Sequence, residues 1–298
     1  MKDLSILILS YNTEELTQKC LNSLYESLKD TSLKSEIIVV DNNSSDNSVQ
    51  MLEKIKKAYD SDRVGFTLIL NKDNTGFTGG NNQALEVATG KYVLYLNSDV
   101  IIDDVDFPAL LKYMDENADV AGLTVRVVLP TGMIDPASHR GFPTPWNAFS
   151  YFLKLEKLSK NIPFLNKIFG GYHLTHLDLN TIHEIDAPAA AFYLSRKDVL
   201  DKLGGFDAKS FFAYGEDIDL TYRTKQLGYK VMYYPKYTVT HFKWSSGLKN
   251  KNPEIRKKTR THFNQAMKIF YKKHYEKRYP AIVNALMYFF MDLKNKIS

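Results

Sequence analysis

Three carboxylates crowd the run Phe211-Phe-Ala-Tyr-Gly-Glu-Asp-Ile-Asp-Leu220: Glu216, Asp217 and Asp219. They follow Gly215 and an aromatic stretch at the predicted start of a helix. A carboxylate there is suited to general-base chemistry, because its surroundings orient it and tune its proton affinity. Acids in a first helical turn also serve a plainer purpose, capping free N–H groups and complementing the helix dipole. The segment by itself leaves both readings open.

Short polar clusters recur elsewhere. Asp41-Asn-Asn-Ser-Ser-Asp46 follows a predicted strand and precedes a helix. Such residues cap helices and also face ligands, and Asp41 can accept hydrogen bonds from a base imide or a ribose hydroxyl. Asn74-Thr-Gly-Phe-Thr-Gly-Gly-Asn-Asn82 is glycine-rich and leads into a helix, where backbone N–H groups can approach an anion. It is neither a dinucleotide fingerprint nor a phosphate loop of the Lys-Ser/Thr type. Asn97-Ser98-Asp99 ends a strand, where a carboxylate can bind a hard divalent cation or simply terminate a turn. His241, near the end of a later strand, can complete a metal site or serve structurally. Trp244 with Ser245 and Ser246 suits a sugar face or pyrophosphate oxygens, or packs against the body. Trp146, Phe149, Tyr151 and Phe152 form another aromatic cluster, an acceptor groove or plain core packing.

The elements that must position these groups alternate. Leu4–Leu9, Glu36–Val40, Phe66–Leu70 and Tyr92–Leu96 read as buried strands. An Asn12-Thr-Glu-Glu15 capping box predicts a helix carrying Leu16, Cys20, Leu24 and Leu28 on one side. Val49–Ala58 predicts a second helix, and Gly79-Gly80 opens a third that runs to about Val87. This rhythm predicts an α/β fold with a doubly wound, mostly parallel sheet, whose ligands bind beyond the carboxyl ends of the strands. Ser10–Asn12, Asp41–Asp46 and Asn97–Asp99 all fall at those ends. Later, Val120–Leu129 predicts a strand, and residues 136–182 predict long loops and short helices. Asp198–Leu203 predicts a short helix stopped by Gly204-Gly205, and Ile218–Leu227 another helix. Tyr229–Tyr234 and Thr238–His241 predict two strands, and the tail from Pro253 a helix broken at Pro280.

Of the 298 residues, 44% are hydrophobic and 24% charged, which is ordinary globular composition. The single cysteine, Cys20, excludes a disulfide framework and a multi-cysteine zinc site, and its apolar position fits a small core residue. The run Leu4–Leu9 is too short for a signal peptide, and no apolar stretch is long enough to span a bilayer, so a cytoplasmic protein is expected. Twelve Lys or Arg and two acids lie between Lys243 and Arg278, against a whole-chain net charge of +5, so the rest of the chain is net acidic. A basic tail suggests an anionic partner: a membrane surface, a lipid phosphate or nucleic acid. The tail lacks a recognised nucleic-acid motif, which sets that partner aside. Its Phe263, Met267, Phe270, Leu286, Met287 and Phe289 make it amphipathic. It is expected either to dock on the inner face of the cell membrane or to pack on the body or a second copy as a homodimer.

Taken in order, Ile8-Leu-Ser-Tyr-Asn12, Val39-Val-Asp-Asn-Asn-Ser-Ser-Asp46, Asn74 to Asn82, Leu94-Tyr-Leu-Asn-Ser-Asp99, Gly204-Gly-Phe-Asp207, Phe212 to Leu220 and His241 resemble the family-2 glycosyltransferases of GT-A fold. Within them the set looks most like the rhamnosyltransferase-like branch that builds bacterial surface polysaccharides. The resemblance implies a catalytic domain over residues 1–247, with a donor-binding half to about residue 100 and an acceptor-side half over 101–247, then a basic helical extension over 248–298. It implies that Ser10, Tyr11 and Asn12 border the nucleotide base, that Asp41 binds base or ribose, and that Asn74 and the Gly79-Gly80-Asn81 turn shape the donor pocket. Asn97, Ser98 and Asp99 match the Asp-X-Asp motif with Asn in place of the first acid. Asp99 and His241 are implied to hold Mn²⁺ or Mg²⁺. Asp217 matches the catalytic base, with Glu216 orienting it or binding acceptor and Asp219 serving the helix start. Ala189 and Tyr214 are implied on the acceptor side, with Trp244, Ser245 and Ser246 there or at the pyrophosphate. Ala187-Pro-Ala-Ala190 departs from the Gly-Ala pair of many relatives.

The implied activity is inverting transfer of a sugar, L-rhamnose from dTDP-rhamnose or else galactose or glucose from a UDP-sugar, to a saccharide or a polyprenyl-diphosphate-linked acceptor. A non-catalytic sugar-nucleotide-binding or scaffold protein is the competing class, and turnover separates the two. A nicotinamide oxidoreductase would need a glycine fingerprint after the first strand, where Ser10-Tyr-Asn12 stands instead.

Overall fold

The computed structural model describes residues 2–243 and 253–297. Its first half alternates β1 (Leu4–Ser10), α1 (Glu14–Leu28), β2 (Ser35–Asp41), α2 (Ser48–Tyr59), β3 (Val64–Leu70), α3 (Gly76–Val87) and β4 (Tyr92–Asn97). Strands β1 and β2 are runs of Ile, Leu and Val buried almost throughout, as strands covered by helices on both faces must be. These four strands run parallel in the order β3-β2-β1-β4.

The second half is mixed rather than parallel. It comprises β5 (Val100–Asp104), α4 (Phe107–Glu116), β6 (Val120–Val128), α5 (Pro145–Phe152), α6 (Leu155–Ser159), α7 (Pro163–Phe169), β7 (His183–Ile185), β8 (Phe192–Arg196), α8 (Lys197–Leu203), α9 (Glu216–Gln226) and β9 (Lys230–His241). Strand β8 joins β4 antiparallel, and the sheet continues β8-β6-β9-β5, with β7 also on β9. The two strands predicted over residues 229–241 are a single strand. Its register against β6 slips between Tyr234 and Thr238, around Pro235, which has no N–H to give to a ladder. Helices α1, α2 and α4 pack on one face of the sheet, and α3, α8 and α9 on the other.

Two predicted helix starts are corrected. The N-cap of α1 is Thr13, and no capping box forms: its hydroxyl lies 2.9 Å from that of Thr17, while Asp46 of the neighbouring loop accepts from the Glu14 N–H at 3.2 Å. Helix α3 begins at Gly76 rather than Gly79. Gly76 has φ +79°, and a Cβ there would lie 2.6 Å from Phe212, so both its conformation and its packing call for glycine.

The tail forms α10 (Pro253–His274) and α11 (Ala281–Ile297), with a 3₁₀ turn at Glu276–Arg278 between them. It packs on α9 through a third buried cluster, in which Phe211 and Tyr222 meet Phe270, Tyr271 and Tyr275. Asp219 fastens that contact. It is fully buried and pairs with Arg223 at 2.8 Å and with Lys273 and His274, each at 2.7 Å. Burial opposes its charge, but the His274 hydrogen bond and the Arg223 charge outweigh burial and hold its carboxyl at about 2. The third acid of the Glu-Asp-Ile-Asp segment therefore ties down the tail.

Candidate active site

Parallel pairing of β2, β1 and β4 brings Asp41, Ser10 and Asn97 to one edge of the sheet. Ser10 is buried, its hydroxyl 3.3 Å from Thr17, and Tyr11 is exposed. Asn12 takes a left-handed φ of +53°, and its Oδ1 accepts from the Ser45 N–H at 2.7 Å, pinning the first loop to the second. Asp41 is buried. Its Oδ1 accepts from the Ser44 N–H at 2.9 Å, and its Oδ2 has no partner among the described residues. Asn74 ties its loop to the one after β2: its Oδ1 accepts from Asn42 Nδ2 and from the Gly76 N–H, each at 2.9 Å. Gly79, Gly80 and Asn81 lie inside α3 and not in a turn before it. A Cβ on Gly80 would come within 2.3 Å of the Leu9 side chain, and Asn81 Nδ2 donates to the Phe77 carbonyl at 2.8 Å. Gly80 thus lets the helix seat closely on β1.

Beyond β4 the chain passes through Ser98 and Asp99 into β5, whose Val100 pairs with His241 at the end of β9. That pairing sets His241 Nε2 3.2 Å from Asp99 Oδ1. Ser98 Oγ lies 3.4 Å from the Thr13 hydroxyl. Asp99 Oδ2 and Asn97 Oδ1 are buried without a partner among the described residues. An unmade buried acceptor costs about 1–3 kcal/mol, so the Asp99 oxygen left this way beside an imidazole suits Mg²⁺ or Mn²⁺. No group of three His, Cys, Asp or Glu among the described residues could hold a metal. A cation at Asp99 and His241 would therefore take its other positions from phosphate or water oxygens.

The sequence reading missed Asp135. It is fully buried in the loop after β6, and its Oδ2 lies 2.9 Å from His241 Nδ1 and its Oδ1 2.6 Å from Lys243 Nζ. Burial disfavours its charge, but the bonds from His241 and Lys243 prevail and hold its carboxyl well below the usual range. Burial likewise works against a charged His241, and the two carboxylates overcome it, raising its pKa.

A second cluster gathers where α9 begins. Tyr214 and Gly215 both have positive φ, turning the chain so that Glu216 and Asp217 open the helix. Asp217 Oδ1 accepts from the Ile218 N–H at 2.8 Å, and its Oδ2 from Arg140 Nη2 at 2.7 Å. Arg140, a second residue missed in sequence, is buried and also donates to the Ala187 and Pro188 carbonyls at 3.2 and 3.4 Å. Glu216 is buried beside Asp217. Burial first, and then the Asp217 charge, push its carboxyl up to about 8, so it is protonated at neutral pH. The two adjacent acids thus differ: Asp217 is ion-paired and Glu216 neutral. One loop, carrying Asp135 and Arg140, serves both clusters.

The remaining expected positions scatter. Ala189 is in the sheet core, and Tyr214 packs edge-on against Phe263 of α10. Trp146, Phe149 and Tyr151 are exposed along α5, while Phe152 joins the cluster under the tail. Trp244, Ser245 and Ser246 lie outside the described residues.

Comparison with known proteins agrees with this architecture. The chain is 36% identical over 113 residues to a poly(ribitol-phosphate) beta-glucosyltransferase of Bacillus spizizenii, a stretch of 37% of this chain and 16% of that one. It is 33% identical over 100 residues to the GalNAc(5)-diNAcBac-PP-undecaprenol beta-1,3-glucosyltransferase of Campylobacter jejuni, 33% of this chain and 30% of that one. The chain thus spans less than a third of either relative's length. Among solved structures, the mannosyltransferase PcManGT from Pyrobaculum calidifontis, in complex with GDP-Man and Mn²⁺, superposes with a TM-score of 0.58 at 16% identity, over 91% of this chain and 66% of that one. At that identity the likeness is one of fold, the GT-A fold. The model of glycosyl transferase family 2 matches residues 5–178, more than half of the chain, and the chain belongs to that family.

Proposed function

We propose that the chain transfers a hexose from a nucleotide-diphosphate donor to a hydroxyl of a saccharide or polyprenyl-diphosphate-linked acceptor in bacterial surface polysaccharide synthesis. Inversion at the anomeric carbon is part of the reading. The observation that carries it is the pairing of two polar centres through one loop: Asp99 with His241, and Asp217 with Arg140. Asp217 takes the acceptor hydroxyl proton, and that oxygen's electron pair forms the new bond to the anomeric carbon. The bond from that carbon to the diphosphate oxygen breaks, and its electron pair leaves with the nucleoside diphosphate. No covalent enzyme intermediate is needed. Arg140 holds the Asp217 carboxylate in one orientation, and neutral Glu216 adds no second charge beside it. Asp41 offers its Oδ2 to the base or ribose, with Ser10, Tyr11 and Asn12 at the border. Asp99 and His241 would hold Mn²⁺ or Mg²⁺, which supplies Lewis-acid stabilisation of charge on the leaving diphosphate.

The two relatives named above are glucosyltransferases by name, which supports a donor such as UDP-glucose ahead of dTDP-rhamnose. Calorimetric titration with UDP-glucose, UDP-galactose, dTDP-rhamnose and GDP-mannose, each with and without Mn²⁺, tests the reading. One donor should bind, and more tightly with the metal. If none binds the folded protein, a non-catalytic scaffold role moves ahead of transfer.

The polyprenyl-linked class of acceptor gives the tail a task. No helix among the described residues is long and apolar enough to cross a membrane. Helix α11 nonetheless leaves Ile282, Leu286 and Phe289 exposed at 71%, 52% and 60%, at the spacing of one helical face, while α10 exposes Lys257 and Arg260. Apolar and cationic side chains on one helical hairpin support docking on an anionic leaflet, at the inner face of the membrane. Full-length protein should float with vesicles containing phosphatidylglycerol, and a Leu286→Asp/Phe289→Asp variant should not. Absence of flotation, or a dimer that the same variant dissolves, rejects the docking surface.

A further inference from the structure

We propose that Asp135 is a positioning residue for His241, fixing the imidazole with its Nδ1–H on Asp135 and its Nε2 lone pair turned to the cation site at Asp99. The inference rests on the reading of Asp99 and His241 as metal ligands and adds a residue to it.

Asp135 is itself held in place by two donors. Its Oδ1 accepts from Lys243 Nζ at 2.6 Å and from the Ala137 N–H at 2.9 Å, leaving Oδ2 for His241 Nδ1 at 2.9 Å. Two donors on one oxygen prevent the carboxylate from swinging away. An ionised carboxylate only accepts hydrogen bonds, so the proton between Oδ2 and Nδ1 belongs to the ring. With Nδ1 protonated, Nε2 is the nitrogen available to a cation. It sits 3.2 Å from Asp99 Oδ1, beside Asp99 Oδ2, which has no partner among the described residues.

Charge supports the same assignment. Lys243 neutralises Asp135, so the pair adds no net negative charge, and Asp99 remains the carboxylate that faces the cation. Lys243 reaches this position with φ at +51°, a conformation uncommon for a residue with a Cβ. Strain of that kind persists where the surroundings over-determine the geometry. A carboxylate on the far nitrogen of a ligating histidine is the arrangement that sets ring orientation and strengthens the ligand nitrogen. Ring packing alone would need no charged partner buried at this depth.

The test uses the full chain and two readouts that do not depend on turnover. The free Mn²⁺ signal in electron paramagnetic resonance gives Mn²⁺ affinity for wild type, Asp99→Ala and Asp135→Asn. Removing such an outer partner typically costs about 10–100-fold in affinity, and Asp135→Asn should fall in that range. An Asp135→Asn protein that melts at a lower temperature yet binds Mn²⁺ as wild type does would reduce Asp135 to a packing residue and overturn the inference. A wild type that binds no Mn²⁺ is a different failure, that of the metal reading itself. Should Asp135→Asn not fold, ¹⁵N spectra of Mg²⁺-saturated wild type, with His241 assigned by comparison with His241→Gln, decide the matter. The Nδ1-protonated tautomer is expected, and the Nε2-protonated tautomer refutes it.

Discussion

Asp217→Asn should lower kcat by about 10²-fold or more, the range that a positioned general base contributes, while donor affinity stays within a few-fold of wild type. The amide keeps the size of the carboxylate and one of its two accepting oxygens, so one of the bonds from Arg140 and the Ile218 N–H can persist and the start of α9 should survive. What it loses is the basic oxygen and the charge opposite the guanidinium. Arg140 still donates to the Ala187 and Pro188 carbonyls, which limits the cost of leaving it without its ion partner. Glu216→Gln is the matched control. Burial and the neighbouring Asp217 charge keep Glu216 protonated until about pH 8, so glutamine imitates its working form and should cost far less turnover at pH 7. The sign of that shift matters. A carboxyl raised by folding contributes stability that is fully present below its ordinary value and is lost as pH rises from there to about 8, so the region around α9 should weaken across that range, and less so in Glu216→Gln. Single-turnover rates for both variants at pH 7 decide between the two acids. Near-normal chemistry in Asp217→Asn with loss in Glu216→Gln would transfer the base role to Glu216.

The contrast between these acids was only half legible in the sequence. Strands β1, β2 and β4 announce themselves as apolar runs, and their ends mark Ser10, Asp41 and Asn97 because polar residues begin where burial stops. Local chemistry also marked Glu216 and Asp217. Their partners could not be found this way. Arg140 is 77 residues from Asp217 and Asp135 is 106 from His241, both in a stretch with no hydrophobic period. Their placement depends on β6 lying beside β9, with Val128 level with Thr240, and that adjacency is a property of strand order. The same holds for the mixed half of the sheet, since parallel and antiparallel neighbours are not distinguished by the residues of a short buried strand. The misjudged helix starts have a local cause. Thr13 turns its hydroxyl to Thr17, and Gly76, with its positive φ, opens α3 three residues before the Gly79-Gly80 pair.

Asp99→Ala should abolish the metal dependence of donor binding and lower kcat/KM by about 10²-fold or more, since Lewis-acid stabilisation is worth several kcal/mol and each 1.4 kcal/mol is about tenfold. The prediction follows from what the side chain does in the fold, which is little. Among the described residues its Oδ2 has no partner and its Oδ1 meets only His241, which Asp135 still holds from the other side. Removing it should therefore harm function more than stability, the reverse of what a buried structural ion pair would show. EDTA provides the internal check. It should depress wild-type turnover toward the level of Asp99→Ala and leave Asp99→Ala itself unchanged, because both remove the same contribution. If EDTA instead leaves wild type untouched, no metal acts here. The positive charge near the leaving group would then have to come from His241, whose two carboxylate neighbours favour its protonated form. Asp99→Ala would still impair turnover in that case, by loosening the imidazolium rather than by losing a ligand, and a fall in activity as pH rises through the His241 titration would distinguish the two origins.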